Sequence, residues 1–321
     1  MVAFVPRKVI TYSVLMLLAV PTWAGLPIRN LNPFTQFVGF PELQPAHILQ
    51  DRQQQFSLAT TLNSHFVAEA DETDPLYIDG ESYVGDFVWR RGFADWEAMI
   101  VIPYVSYQKG FMDHFVDSWH NFFQLPDGGR SLVEDDQLLI GYSGKDNFLL
   151  DEPVQGVGDI RIQAAYQLVN EPAFKEALFV SLKLPTGNER KGIGSGGADL
   201  AIFSSWAWQQ DNWKQELQVG VLGMQKPDVL SSMRRKVAVF GSAALGYVTD
   251  EGIGIYLQYD AHSRLYNKTD QAALKDGHML SAGCKVIYPS WGWSFAVIED
   301  IDVDSAPDVG FQLGIQFGTV R

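Results

Sequence analysis

The chain has 321 residues, and its 24 basic and 38 acidic residues give a net charge of −14. An acidic chain without clusters of Lys and Arg excludes nucleic acid as a partner. The single cysteine, Cys284, cannot form an internal disulfide, which excludes a disulfide-stabilised scaffold. With 46% hydrophobic and 13% aromatic residues, the chain has ample apolar surface to bury or to present to lipid.

Residues 1–24 are predicted to be a cleaved signal peptide. Two basic residues, Arg7 and Lys8, precede an apolar run over 9–20, and the small residue Ala24 precedes the expected cleavage site. The run is too short for a membrane anchor, which needs roughly 20 apolar residues. Without this peptide 22 basic and 38 acidic residues remain, so the exported chain carries a net charge of −16.

The segment 25–53 follows and shows no regular pattern. It contains four prolines and several Asn and Gln residues, and its apolar residues do not alternate with polar ones. We expect it to form either a periplasmic extension or a segment that enters the lumen of the domain over 54–321.

From residue 54 onwards, apolar residues alternate with polar ones, most clearly at Phe311, Leu313 and Ile315. Successive residues of a strand point to opposite faces, so this pattern predicts strands with one lipid-facing side. Twelve strands are predicted, near residues 54–66, 82–91, 95–107, 157–169, 177–185, 199–209, 212–224, 236–249, 252–265, 278–288, 291–301 and 309–320.

The connections between these strands alternate between long and short. Short connections such as 92–94 and 210–211 follow long ones, of which 108–156 is the longest. An even strand number with short periplasmic turns and longer outer loops is typical of a transmembrane β-barrel in the outer membrane of a Gram-negative bacterium. Both chain ends then lie on the periplasmic side. A soluble β-protein is the alternative, but it has no reason to sort its loops in this way.

Tryptophans lie near the ends of the predicted strands, where the aromatic girdles of membrane barrels are found. A soluble β-protein would instead place tryptophan in its core, so this observation supports the barrel without deciding alone. The residues concerned are Trp89, Trp96, Trp206, Trp208, Trp213, Trp291 and Trp293.

The long connection 108–156 is predicted to contain a short helix over 112–123, because its aromatic residues recur at helical intervals. A Pro-Asp-Gly-Gly turn follows at 126–129. We expect this loop to fold inward, where it either plugs the pore or constricts it and selects solutes. The residues expected at the constriction are Glu81, Asp117, His120, Phe123 and Arg130, with Arg130 paired with Asp117 or Glu81.

Polar residues at alternate strand positions are expected to line the lumen. Charges of both signs and amides inside a barrel can line a wet channel or form a closed network, and the residue types do not distinguish these. The candidates are Asp86, Arg90, Asp159, Arg161, Lys183, Glu216, Gln258, Asp260, Lys285 and Gln312.

One metal site is a candidate. Asp113 and Asp117 lie at positions i and i+4 of the predicted helix, and their oxygen ligands would suit calcium. The alternative is a diffuse acidic outer surface, to which the acidic run 299–304 also belongs.

Patterns for a cofactor or an enzyme are weak. The glycines at 192, 194 and 197 match a dinucleotide-binding motif in spelling, but a strand follows them where the motif needs a helix. Neighbouring Ser and His residues, such as Ser263 and His262, point to opposite faces of a strand. No cofactor is predicted, and we expect no enzymatic activity.

Five short motifs occur in order along the chain: DGE at 79–81, HNFFQLPDGGR at 120–130, GVGD at 156–159, LPTG at 184–187 and SGG at 195–197. Together they resemble a family of uncharacterised Gram-negative outer-membrane proteins known only as a domain of unknown function. The resemblance implies an outer-membrane barrel but no particular activity. The GVGD and LPTG motifs are also similar to outer-membrane channels for fatty acids and aromatic hydrocarbons, which implies an amphipathic or apolar solute.

The sequence therefore predicts an all-β chain that forms an antiparallel barrel of about twelve strands and passes a small solute. Two alternatives stay open: a non-conducting structural barrel of the envelope and a membrane-embedded lipid hydrolase. The expected partners are outer-membrane lipid, lipopolysaccharide, the barrel-assembly machinery during insertion and a small solute.

Overall fold

The structure, a computed structural model, describes residues 25–69, 75–124, 129–144, 146–267, 269–301 and 305–319. The predicted signal peptide 1–24, most of the predicted turn at 126–129 and the acidic positions 302–304 lie outside these ranges. Across the described ranges, helices are too short or too polar to span a bilayer.

Within these ranges the chain forms fifteen strands, one α-helix and three 3-10 turns. Twelve long strands form the wall: β1 (Gln54–Glu69), β2 (Leu76–Phe93), β3 (Trp96–Gln108), β7 (Arg161–Asn170), β8 (Phe174–Lys183), β9 (Asp199–Gln210), β10 (Trp213–Met224), β11 (Val237–Val248), β12 (Ile253–His262), β13 (Gly277–Ile287), β14 (Trp291–Asp300) and β15 (Val309–Thr319). The others are β4 (Leu139–Tyr142), β5 (Phe148–Leu150), β6 (Val154–Val157), helix α1 (Asp113–Phe123) and the turns Arg130–Leu132, Glu189–Lys191 and Ala272–Leu274.

The twelve long strands pair antiparallel with their neighbours and close into a barrel. The closing pair is β1 with β15, which runs from Gln54 opposite Thr319 to Ser64 opposite Val309. Strand β3 pairs with β2 on one side and with β7 on the other. A closed ring satisfies its backbone hydrogen bonds without water, which is the condition for a sheet to span a bilayer. The predicted twelve-stranded antiparallel barrel is confirmed.

Alternation separates an apolar outer face from the interior. On β12, Leu257 is 50% exposed to the outside, whereas the next residue, Gln258, is fully buried inside. Exposed tryptophans gather at the ends of the barrel that carry the short turns, as expected for the periplasmic interface. They include Trp96, Trp208, Trp213 and Trp291.

The wall extends further on the side of β1 and β2 than the sequence predicts. Strand β2 begins at Leu76, not near 82, and its first residues pair with β4 because β3 leaves the wall at Gln108. Strand β5 adds to β4, and β6 continues into β7 along the edge of β3. Part of the long connection is therefore sheet.

The segment 25–49 lies inside the barrel, and its residues are almost all buried. We call it the luminal segment. It leaves the lumen by crossing the turn between β2 and β3, where a Cβ atom on Gly92 would lie 2.4 Å from the carbonyl oxygen of Leu49. Glycine is therefore required at this crossing. Phe34, Phe37 and Phe40 of the segment belong to the largest buried apolar cluster.

Candidate functional site: the barrel lumen

The lumen is the candidate site because polar wall side chains bind the main chain of the luminal segment. Four donors from the wall and Tyr266 from the loop after β12 reach its carbonyl oxygens: Gln258 to Leu26 (3.0 Å), Gln312 to Pro27 (2.6 Å), Tyr266 to Phe34 (2.7 Å), Lys183 to Phe37 (2.8 Å) and Arg161 to Phe40 (2.8 Å). Wall acceptors receive its N–H groups: Asp199 from Gly39 (2.9 Å), Gln218 from Gln44 (2.8 Å) and Glu97 from Leu49 (2.7 Å).

Buried ion pairs join the luminal segment to the wall. Glu42 of the segment accepts from Arg161 of β7 at 2.5 Å and from Arg29 at 3.2 Å. Arg29 also lies 3.5 Å from Asp86 of β2, and Arg161 lies at the same distance from this carboxylate. Two cations and two carboxylates thus form one compact network. Desolvation of buried charges is costly, and the close pairing within this network offsets that cost.

A second network surrounds Lys183. Its ammonium group lies 3.1 Å from Asp159 and 2.9 Å from Asp199, and it donates to the hydroxyl of Ser195 at 2.5 Å. Asp159 in turn accepts from the backbone N–H of Ser195 at 3.0 Å. The network holds the outer loop 186–197 over the lumen as well as the segment within it.

Charged residues also close the periplasmic end. Arg90 and Glu97 form a bidentate pair at 2.7 and 2.9 Å, next to the place where the segment leaves. Lys285 donates to the carbonyl of Gly25, and its ammonium lies 4.5 Å from the centre of the Tyr256 ring.

Aromatic side chains of the segment fill the space between these polar contacts. Phe40 packs edge-on against Phe240 with ring centres 5.6 Å apart and stacks on His262 at 4.8 Å. Phe34 meets Phe148 of β5 at 5.8 Å. A cavity beside Arg29 and Arg161 measures about 20 Å³, which is room for one water molecule. The segment thus packs this part of the lumen closely.

The ten wall residues expected in the lumen all lie on its inner face. Asp86, Arg90, Asp159, Arg161, Lys183, Gln258, Lys285 and Gln312 make the contacts given above. Asp260 accepts from Gln258 at 2.9 Å. Glu216 lies on the inner side of β10, two residues before the buried Gln218, and is partly exposed. The residues that bind the luminal segment directly are Asp86, Arg161, Lys183, Gln258, Lys285 and Gln312, and these do not face an open channel in this structure.

The residues predicted to form a constriction do not lie in the lumen, and the prediction that the part of the loop with the helix folds inward is wrong. Helix α1 forms where it is predicted, but its rings at Phe115 and Trp119 contact Phe311 at 5.6 and 6.2 Å. Phe311 points outward, since its neighbour Gln312 points into the lumen. The part of the loop that carries α1 therefore lies over the outer face of β14, β15 and β1, because the aromatic side of the helix packs on apolar wall residues there. Later in the same connection, Phe148 of β5 packs against Phe34 of the luminal segment.

The other residues predicted at the constriction also lie outside the lumen. Glu81 accepts from the backbone N–H groups of Phe111 and Met112, both at 2.6 Å. His120 is buried against the wall, Phe123 is exposed and Asp117 is half-buried. None of these described positions lies in the lumen.

Arg130 pairs with neither Asp117 nor Glu81. It forms ion pairs with Asp113 and Asp308 and donates to the hydroxyl of Ser64 at 3.0 Å. The second carboxylate oxygen of Asp113 accepts from the backbone of Asp136 at 2.6 Å. With Asp113 occupied in this way, the described residues offer no cluster of three or more metal-binding side chains, and the calcium site is not supported.

A serine and a histidine that the sequence analysis missed meet on the luminal face of β1 and β2. His65 Nε2 lies 2.8 Å from the hydroxyl of Ser82, and Asn63 donates to the same hydroxyl at 3.2 Å. A hydrolytic triad needs its third member on the histidine, but Asn63 bonds the serine instead. All three side chains are buried in the filled interior. The geometry therefore gives no support to a lipid hydrolase.

The closed barrel, its apolar outer face and its polar interior define an outer-membrane β-barrel of a Gram-negative bacterium. The chain belongs to the family described as "Protein of unknown function (DUF3187)", whose model matches residues 22–319. No curated protein matches the chain.

Solved structures of outer-membrane proteins are similar to the chain at low sequence identity. The chain is similar to the COG4313 outer membrane channel from Pseudomonas putida F1, with 16% identity, a TM-score of 0.60 and coverage of 87% of this chain and 100% of that one. It is also similar to the NanC porin, with 10% identity, a TM-score of 0.45 and coverage of 82% and 98%. These likenesses concern the fold alone.

Sequence reasoning also missed Arg29 and Glu42 of the luminal segment as partners of the wall charges. A usable signal was present, since a segment rich in proline, amides and charge precedes a wall with many inward polar residues. A barrel of twelve strands leaves a lumen that wall side chains fill poorly.

Proposed function

We propose that the protein is an outer-membrane channel for a small amphipathic solute, closed in this structure by its own luminal segment. The observation that carries the proposal is how this segment is held. Wall side chains such as Arg161, Lys183 and Gln312 bind its main chain, and these hydrogen bonds do not depend on the identity of the segment's side chains. Once the segment moves, the same wall groups can be hydrated and line a wet path.

The residues that line the wall also support the proposal that the solute is amphipathic. The wall presents cations such as Arg161 and Lys183 and also the buried ring of Phe240. The Phe240 ring now contacts Phe40 of the segment, with ring centres 5.6 Å apart, so an apolar group of a solute can replace that contact. The charged groups nearby can bind the polar part of the same solute.

Deletion of residues 25–49 tests the proposal. We expect the variant to conduct ions in planar bilayers and to admit small amphipathic solutes into liposomes, because the lumen then loses its filling. The intact chain should show near-zero conductance. A deletion of residues 111–130 is the matched control, since the described residues of this range lie outside the wall and their loss should leave the conductance near zero.

Folding of each variant is checked by the heat-dependent shift in gel mobility that barrels show. A folded 25–49 deletion without conductance would contradict the channel and favour a structural barrel.

A second variant covers the case in which that deletion does not fold. Leu43 and Ala244 contact each other across the segment and the wall. In a Cys284→Ser background, oxidation of the Leu43→Cys, Ala244→Cys pair should abolish any brief openings, and reduction should restore them.

A further inference from the structure

Helix α1 has three faces, and each meets a different environment. Asp113, Val116 and His120 are buried against the barrel. A second face consists of His114, Ser118 and Asn121, which are polar and exposed. The third face carries the rings of Phe115, Trp119 and Phe122. The residues of each face are three or four positions apart, so each set forms one stripe along the helix.

The aromatic face continues the lipid-facing wall. Phe115 and Trp119 touch Phe311, and beside Phe311 lie Phe295 and Leu313, which are exposed outward residues of the wall. Beyond the wall the apolar surface goes on, since Phe122 is 78% exposed and Phe111 67% exposed. A soluble loop would bury such rings or replace them with polar residues.

The position of the tryptophans points to the same environment. Those at strand ends, such as Trp96 and Trp291, lie on the side of the short turns. Among the tryptophans in the described ranges, Trp119 alone lies on the opposite side of the barrel. Its indole N–H donates to Glu299 at 2.5 Å. Membrane barrels carry aromatic girdles at both interfaces. Helix α1 therefore occupies the place of the outer girdle on this side.

We propose that α1 is an interfacial helix that lies in the outer leaflet of the outer membrane. Its aromatic face contacts the acyl chains of outer-leaflet lipid, its polar face lies among the headgroups, and its third face is fixed to the barrel. The ion pairs of Arg130 with Asp113 and Asp308 lie under the loop and keep it attached. Interfacial helices elsewhere combine an apolar face and a polar face in the same way.

Fluorescent labels on two faces of the helix test this inference. Phe122→Cys and Ser118→Cys are made separately in a Cys284→Ser background, labelled with the environment-sensitive dye NBD and placed in phosphatidylcholine nanodiscs. Both positions are exposed, so neither change removes a buried contact. Phosphatidylcholine with brominated acyl chains should quench the label at position 122 about twofold more than the label at 118. Aqueous iodide should show the reverse order.

Other results would overturn the inference. Equal quenching of both labels by iodide would show that the aromatic face is in water. Protection of the label at 122 from both quenchers would show that protein covers it, and a second copy of the chain would then be the occupant. The conductance of the channel does not enter this test, so it stands apart from the proposed function.

Discussion

Lys183 illustrates how single charged residues specify the interior. Its ammonium joins the wall, through Asp159 and Asp199, to the outer loop at Ser195 and to the luminal segment at Phe37. The period-two pattern of β8 is sufficient to place this lysine inward. Its partners cannot be read from the sequence, because they depend on which strands become neighbours.

Replacement of Lys183 by Met is expected to destabilise the folded barrel by about 3–5 kcal/mol, since two buried carboxylates lose their shared cation. The measurement is the midpoint of urea unfolding in lipid vesicles. Arg190→Met is the control, because the Arg190 side chain is 90% exposed and should contribute little. Equal midpoints for the two variants would show that the Lys183 network does not stabilise the fold.

Arg130 shows the limit of local reasoning at the same scale. The sequence places Asp117 and Glu81 within plausible reach, yet one of the actual partners, Asp308, is 178 positions away. That contact exists only because β15 closes the barrel against β1. A pairing made by ring closure has no local signal in the sequence.

Helix α1 was predictable as an element but not in its location. Its periodic aromatic residues are a local property of the chain, and they give the helix correctly over Asp113–Phe123. An aromatic face suits the inside of a filled barrel and the lipid side of its wall equally well. The choice depends on the space in the lumen, which the luminal segment already fills.

Glu81 is expected to fix the start of the loop that carries this helix. Its carboxylate accepts from two backbone N–H groups just after Gly110, which has a positive φ of 97°. Replacement by Ala removes both bonds, so chymotrypsin should cleave the loop of the folded protein faster than in the wild type. Glu152→Ala is the control, because Glu152 is an exposed acid of the same connection. Unchanged cleavage in Glu81→Ala would mean that the carboxylate does not hold the loop.

For the whole molecule, the sequence predicts the architecture well. Alternation and the order of long and short connections give the strand number and the closed barrel, because each depends on a repeated pattern. The filling of the lumen depends on one segment that occurs once in the chain, so no repeated pattern predicts it. The sequence therefore allows two locations for the segment 25–53, and it predicts helix α1 in an interior that this segment occupies.

The depth of the wall in the membrane gives a prediction at this scale. Leu257→Arg should destabilise the barrel by about 2–4 kcal/mol, since Leu257 lies in the middle of β12 on the lipid side. Ile253→Arg, at the periplasmic end of the same strand, should cost about 0–1 kcal/mol. Urea unfolding in lipid vesicles measures both. A cost at 253 equal to that at 257 would place the membrane differently along the wall.

The luminal segment also has a consequence for the order in which the protein assembles. The segment precedes β1, yet it contacts strands as late as β15 through Gln312, 285 positions away. The first and last strands form the seam of the barrel, so once they pair, the segment can enter only through an end of the ring. If it enters earlier, the wall forms around it, and the filling of the barrel is also the scaffold on which the later strands find their register.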